Sequence, residues 1–310
     1  MTPLQTQSTC HIMMVRPAAF GYNAETAKTN AFQSIPEATL NAAALAQTEF
    51  DTMVLALRAK GVNVVVISDT PTPVKPDAVF PNNWVSFHAT GEVYTYPMES
   101  SNRQTERRMD IVQQISEEFD VRSITDLSGT EAEGRYLEGT GSIIFDHTAK
   151  KAYACTSRRT HPELLEALCD RIGYTAVIFE SVDARGQAIY HTNVMMAIGP
   201  EYAVICLDSI PNAEQRQTVQ ASLEADGKTI VNITLNQVTE YAGNMLAVRS
   251  CDNQPLLCMS ASARASLTRA QVATLEQYTQ LLAFDIPTIE TIGGGSVRCM
   301  MAEIFLPERG

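Results

Sequence analysis

The stretch SIIFDHTAKKAYACTSRRTHPELLEALCDRIGYTAVIF (142–179) decides how the fold is read. Two β-prone runs, Ser142–Phe145 and Ala152–Thr156, flank a turn that begins with Asp146-His147. Thr160-His-Pro-Glu163 then has a capping-box pattern, and Leu164, Leu168 and Ile172 form a helical stripe ending at Gly173. Thr175–Phe179 is a third β-prone run. The unit reads strand, strand, helix, strand.

The same order recurs on either side. Upstream, Trp84–Phe87 and Val93–Tyr96 precede an expected helix over Ser101–Phe119 and a strand over Val121–Leu127. Downstream, Val194–Ile198 and Ala203–Leu207 precede a helix over Asn212–Asp226 and a strand over Thr229–Thr234. In the last unit, Leu246–Val248 and Pro255–Met259 precede a helix from Thr268 to Ala283 and a strand over Ile286–Ile292. The first unit is split. Ser34-Ile-Pro-Glu37 opens a helix that ends at Gly61, and Val62–Ile67 follows as a strand. Its hairpin is divided between His11–Arg16 and Met300–Leu306 at the C-terminus. The chain is therefore expected to hold five units of about 60 residues within one α/β domain over 1–310.

Bulk properties narrow the function. The chain has 310 residues, 45% of them hydrophobic, a net charge of −12 and a pI near 4.9. Clustered positive charge is absent, which argues against a nucleic-acid partner. No apolar run reaches the ~18 residues of a membrane span, and MTPLQTQSTC does not look like a signal peptide. The seven cysteines are odd in number and scattered, with no C-x-x-C pair. They imply a reducing, cytoplasmic setting instead of a disulfide framework or a zinc site. Homo-oligomerisation is left open.

The chemistry-bearing residues fall between one unit's last strand and the next unit's first. These connectors contain Asp77-Ala-Val-Phe-Pro-Asn-Asn83, Leu137-Glu-Gly-Thr-Gly141, Ile189-Tyr-His-Thr-Asn193, Tyr241-Ala-Gly-Asn244 and Gly293-Gly-Gly-Ser-Val-Arg-Cys299. Taken singly, each has a bland reading: a buried cysteine, a core histidine, turn glycines. Their recurrence at one point of the unit predicts that a thiol, an imidazole, a carboxylate and several amides converge, which are parts for nucleophilic catalysis. Cys299 follows three glycines and Arg298, so the backbone can approach a ligand and a cation lies nearby.

At these residues the sequence resembles the guanidino-group-modifying superfamily, which includes arginine deiminase, dimethylarginine dimethylaminohydrolase and amidinotransferases. The strings VFPNNWVSFH (79–88), LEGTGS (137–142), YACTSRRTHPELL (153–165), YHTNVMMAIG (190–199) and GGGSVRCMMAEIFLP (293–307) carry the likeness. It is narrowest towards citrulline-utilisation hydrolases and the deiminase-like module of arginine dihydrolases. The resemblance implies a five-bladed α/β propeller, the pentein fold. It implies Cys299 as nucleophile, His191 as acid/base and Glu138 as the carboxylate that orients it. Asp77 matches an acidic substrate-side residue, Arg159 an arginine for the substrate α-carboxylate, and Arg16 a residue near the pocket. No metal or other cofactor is required.

Departures from the pattern point to the substrate. Asn82, Asn83 and Asn193 stand where relatives carry carboxylates. Carboxylates pair with a guanidinium, whereas amides suit a neutral ureido group. The expectation is hydrolysis of citrulline to ornithine, ammonia and carbon dioxide, with an arginine deiminase or dihydrolase as the near alternative and an amidinotransferase a further one. Backbone N–H groups near Gly293–Cys299 are expected to hold the oxyanion. Tyr96 replaces a second carboxylate-binding arginine, for which Arg103, Arg107 or Arg108 could substitute. A non-enzymatic propeller that binds a macromolecular partner is the distant rival.

Overall fold

The structure is a computed structural model and describes residues 6–34 and 41–310. Among the described residues, the strands form five three-stranded sheets of one design. In the first, β1 (His11–Arg16) lies between β2 (Asn63–Ser68), to which it is parallel, and β15 (Ala302–Glu303), to which it is antiparallel. Ile12 stands opposite Glu303, so the C-terminus completes the split first unit as expected. The remaining sheets are β3 (Val85–Phe87), β4 (Glu92–Thr95) and β5 (Ser123–Asp126); β6 (Ile144–Asp146), β7 (Lys151–Cys155) and β8 (Thr175–Phe179); β9 (Met196–Ile198), β10 (Tyr202–Ile205) and β11 (Thr229–Asn232); and β12 (Leu246–Arg249), β13 (Pro255–Ser260) and β14 (Gln280–Phe284). Each middle strand is antiparallel to one neighbour and parallel to the other. A parallel pair needs a crossover, and helices supply it.

The crossover of the first unit is α1 (Ala42–Ala59). Its Ala46, Phe50, Met53, Val54 and Leu57 repeat at helical spacing and are all buried. Each large side chain so buried contributes about 1.5–3 kcal/mol relative to exposure. Gly61 ends the turn after α1 at φ +76°. The Ser34-Ile-Pro-Glu37 start expected for this helix falls mostly on 35–40, outside the described residues. In the second unit, the single helix expected over Ser101–Phe119 is two: α2 (Ser101–Gln104) and α3 (Met109–Glu118). The break lets Arg103 and Glu106 turn inward as a buried pair. A single turn, α4 (Gly139–Ser142), precedes the third sheet.

In the third unit, α5 (Pro162–Ile172) buries Leu165, Leu168 and Cys169 and stops at Gly173, φ +72°. Its N-cap is His161 with no side-chain cap, so the Thr160 capping box is not formed; Pro162 occupies the first turn instead. The fourth unit crosses over through α6 (Ala213–Ala225), capped by Asn212, and α7 (Leu235–Thr239) follows its last strand, β11.

The fifth unit departs from expectation. The helix expected from Thr268 to Ala283 is cut short to α9 (Arg269–Leu275), which follows a separate α8 (Ala261–Ser266), and the chain is already in β14 at Gln280. Leu281 and Ala283 pair with Leu257 and Met259 of β13, which fixes this run as the strand. The Ile286–Ile292 run is no strand; Ile289–Gly293 is a π-type turn leading to Cys299.

Short turns precede the first strands of the sheets, and they touch one another. Pro81–Asn83 packs against both α4 and the Val297–Met300 turn, and α4 also packs against Thr192–Val194. The connectors from different units are thereby gathered in one place. Among the described residues, no helix is long and apolar enough to cross a membrane.

Candidate active site

Cys299 sits in the Val297–Met300 turn with 4% of its surface exposed. Two amides face its sulfur: Asn193 Nδ2 at 3.4 Å and Asn244 Nδ2 at 3.3 Å. Asn244 also donates to the Asn193 carbonyl at 2.9 Å, and its Oδ1 accepts from the Arg298 N–H at 3.0 Å. The Cys299 N–H donates to Ser296 O at 3.0 Å. The Arg298 and Cys299 backbone donors are therefore already engaged. The polar hydrogens that face the sulfur belong to side-chain amides.

His191 and Cys299 line one narrow pocket with Asp77, Phe80, Asn83, Arg103, Arg159, Tyr190 and Gly293–Gly295. His191 Nε2 lies 2.8 Å from Glu138 Oε2. Glu138 Oε1 accepts the Glu99 N–H at 2.9 Å, and Arg159 Nη1 is 3.6 Å from Oε2. Burial would raise the Glu138 carboxyl, but the Arg159 charge, the His191 bond and Arg103 outweigh it and hold it at about 2. Burial lowers the His191 imidazole below its ordinary value, with Glu138 opposing. The pair is thus a carboxylate and a neutral ring near pH 7. The other ring nitrogen, Nδ1, faces Gly141, where a Cβ would stand 2.7 Å from it and 2.3 Å from Asn83 Nδ2. Only glycine fits there.

Arg159 is buried and heavily engaged. It donates to Glu99 at 3.1 Å, Thr29 Oγ1 at 2.6 Å and Thr26 O at 3.1 Å, with its guanidinium 5.1 Å from the Tyr190 ring centre. Arg103 donates to both Glu106 oxygens at 3.0 and 2.9 Å, and to Asn83 Oδ1 at 2.8 Å. Asp77 is buried 3.8 Å from Arg103 and accepts from Asn23 at 2.7 Å and Thr26 at 3.2 Å. Burial nevertheless raises its carboxyl above the usual range.

Two expected residues do not join this cluster. Arg16 lies at the end of β1, part-exposed, and pairs with Asp51 of α1 at 2.8 Å. Asn82 is fully buried beside Gly139 but does not line the pocket; its neighbour Asn83 does. Of the three candidate arginines, Arg103 enters the pocket, whereas Arg107 pairs with Glu131 and Arg108 with Asp110. Tyr96 is buried against Ser86 at 2.7 Å. Among the described residues, no group of three or more His, Cys, Asp or Glu is placed to hold a metal ion.

Sequence reasoning missed the segment from Asn23 to Gln33. Asn30 and Gln33 donate to Gly294 O and Gly293 O, both at 3.0 Å, so this segment closes over the glycine-rich turn. Gly294 takes φ +64°, and a Cβ on it would strike Asn30 and Gln33. The segment carries no periodicity that could have announced it. Asn244 and Glu99 were also missed as partners of the thiol and of the Glu138–Arg159 pair. Asn244 was legible as a connector residue equivalent to those of the other units.

The family model described as N,N dimethylarginine dimethylhydrolase, eukaryotic, matches residues 16–306. A search of the curated proteins returned no match. Among solved structures, ArgZ, an arginine dihydrolase from the ornithine-ammonia cycle in cyanobacteria, is 15% identical with a TM-score of 0.74 over 96% of this chain. The chain spans only 41% of that protein's length. The N-terminal domain of ArgZ, solved as a variant bound to substrate, is covered over 98% of its length, also at 15% identity and a TM-score of 0.74. A dimethylarginine dimethylaminohydrolase variant, solved as an adduct with S-methyl-L-thiocitrulline, is 14% identical with a TM-score of 0.65; 95% of this chain and 99% of that one are covered. At such identities the likeness is one of fold. With the family model matched over nearly the whole sequence, the chain belongs to the N,N-dimethylarginine dimethylhydrolase family, eukaryotic type, within the guanidino-modifying superfamily.

Proposed function

We propose that the protein is a cysteine hydrolase of the arginine-dihydrolase type, acting on the guanidino carbon of a free arginine-like amino acid. The observation that carries this reading is the opening of the Cys299 thiol and the Glu138-bound His191 onto one pocket that also presents Arg159. The five sheets are read as blades of one propeller, and 1–310 as one catalytic domain.

In this mechanism the neutral His191 takes the Cys299 proton, and the thiolate attacks the guanidino carbon. The imidazolium returns the proton to a departing nitrogen, and ammonia leaves. His191 then takes a proton from water, which adds to the thiouronium carbon. Loss of a second ammonia leaves a thiocarbamate on Cys299. A second water releases the thiol and a carbamate, which loses carbon dioxide to give ornithine. Arginine and two waters thus give ornithine, two ammonia and carbon dioxide. Asn193 and Asn244 stabilise the sulfur as thiolate, and Glu138 orients the ring and balances its charge. Arg159 anchors the substrate α-carboxylate.

A second reading, direct hydrolysis of citrulline, is favoured by a separate observation. Three buried polar atoms around the site lack a hydrogen-bond partner: Asp77 Oδ1, Asn193 Oδ1 and Asn83 Nδ2. They are two acceptors and one donor. A guanidinium offers only donors, so it would leave Asn83 Nδ2 unmatched. A ureido group brings an oxygen for that donor and N–H groups for the acceptors. In the dihydrolase reading, an oxygen for that donor arises once the second ammonia has left and the thiocarbamate carbonyl has formed.

The test is to incubate the purified protein separately with arginine and with citrulline while following ornithine, citrulline and ammonia. Two ammonia per ornithine from arginine supports the dihydrolase. Turnover of citrulline alone selects the second reading. Accumulating citrulline from arginine identifies a deiminase and removes the second hydrolysis. No turnover of either, or activity surviving Cys299→Ser, overturns the proposal.

A further inference from the structure

Two thiols far apart in sequence meet at the seam between the first and fifth sheets. Cys10 Sγ, just before β1, lies 2.6 Å from Cys251 Sγ in the turn between β12 and β13. Unbonded sulfurs do not normally approach this closely, and a disulfide needs only a further closure to about 2.05 Å. The backbone holds both residues in place. Cys10 O accepts the Asn63 N–H at 2.8 Å, the Cys251 N–H donates to Gly61 O at 2.8 Å, and the Arg249 N–H donates to Thr9 O at 3.2 Å. Both cysteines are thus fastened to the same Gly61–Asn63 corner. Cys251 is exposed, whereas Cys10 is 5% exposed.

We propose that Cys10 and Cys251 form a reversible disulfide on exposure to a peroxide, stapling the first sheet to the fifth. The exposed Cys251 thiolate attacks a peroxide oxygen, the O–O bond breaks, and Cys251 becomes a sulfenic acid with release of water. The Cys10 sulfur then attacks the Cys251 sulfur. The S–S bond forms, and the hydroxyl leaves as a second water with the Cys10 proton. In sum, two thiols and one hydrogen peroxide give one disulfide and two waters; a dithiol reductant reverses the bond. Accessibility sets the order of events. Burial and the adjoining Cys251 push the Cys10 thiol up to about 12, so Cys10 is the resolving partner and not the first to react. The bridge would close a loop with its ends 241 residues apart, most of the 310-residue chain, which restricts the unfolded state strongly.

The test uses the full chain, reduced and then treated with a slight excess of hydrogen peroxide. Remaining thiols are alkylated, and the protein is digested without reductant for mass spectrometry. The expected result is one cross-linked pair of peptides carrying Cys10 and Cys251, lost on dithiothreitol treatment. The peroxide-treated protein should also melt several degrees higher than the reduced one. Cys10→Ser should abolish the cross-link and leave Cys251 as sulfenic or sulfinic acid. The proposal is overturned if wild-type Cys251 is overoxidised while Cys10 stays alkylatable, or if Cys251 bridges only between two chains.

Discussion

Arg103 Nη1 donates to Asn83 Oδ1 at 2.8 Å, and this bond decides which end of the Asn83 amide meets the pocket. A guanidinium has no acceptor, so it can bind only the amide oxygen. The NH2 group is left facing His191 and the space above Gly141. Substituting Asn83→Asp keeps the acceptor for Arg103 but removes the donor. We expect kcat/KM for citrulline to fall ~10–100-fold, the size of one hydrogen bond lost from a buried site. Arginine turnover should fall less, so that the arginine-to-citrulline ratio rises. Equal losses for both amino acids would contradict the polarity argument.

Gly141 supplies a steric test of the same neighbourhood. A methyl there would lie 2.3 Å from Asn83 Nδ2 and 2.7 Å from His191 Nδ1. Neither group is the free end of a flexible chain, because each is bonded on its far side. Gly141→Ala should lower kcat at least ~100-fold by displacing the imidazole, since catalysis depends on sub-ångström placement. Gly129→Ala, with nothing within 4 Å, should leave kcat unchanged. Similar kinetics for the two variants would show that the Gly141 contact is not restrictive.

The sequence carried the repeat well because three of the five units end their helix on glycine (Gly61, Gly173 and Gly227) and all alternate short apolar runs with turn residues. It misplaced the fifth unit because Gln280–Phe284 is a short apolar run that fits a helix end or a strand equally. Periodicity cannot separate these; the parallel register of Leu281 and Ala283 with β13 does. The helix expected through Arg103 failed for a different reason. A buried Arg103–Glu106 pair is a tertiary arrangement that local propensity does not encode. The thiol, imidazole and carboxylate were legible from their place in each connector. Asn23, Thr26 and Glu99 were not, because their roles arise only where a loop folds over another unit's turn.

Burial lowers the His191 imidazole from its ordinary value, with the Glu138 bond opposing. In the proposed mechanism the reactive form is the neutral ring, which receives the thiol proton. The acid limb of kcat/KM should therefore fall below pH 6.5, with activity lost as pH drops through the depressed His191 value. Glu138→Gln removes the charge that favours the imidazolium, so the limb should move further towards acid and kcat should fall ~100-fold or more. A pH–rate profile of wild type and variant checks both. An acid limb above pH 7, or one shifted upward by Glu138→Gln, would contradict this assignment.

The last prediction concerns what keeps Cys299 reactive in a buried place. Burial disfavours a thiolate unless donors face it. Here the Nδ2 groups of Asn244 and Asn193 stand 3.3 and 3.4 Å from the sulfur. Their contributions differ in kind, because Asn244 Oδ1 also holds the Arg298 N–H, whereas Asn193 Oδ1 has no partner. Asn193→Ala should remove one donor and leave the turn in place. Iodoacetamide alkylation of the Cys299 peptide should slow, and kcat should fall ~10-fold. Asn244→Ala should slow alkylation as well, but it also frees the Arg298 N–H and loosens the Val297–Met300 turn. Its kcat should fall further, ~100-fold or more, and amide exchange at Arg298 should accelerate only in this variant. If neither substitution slows alkylation, the amides do not stabilise the thiolate.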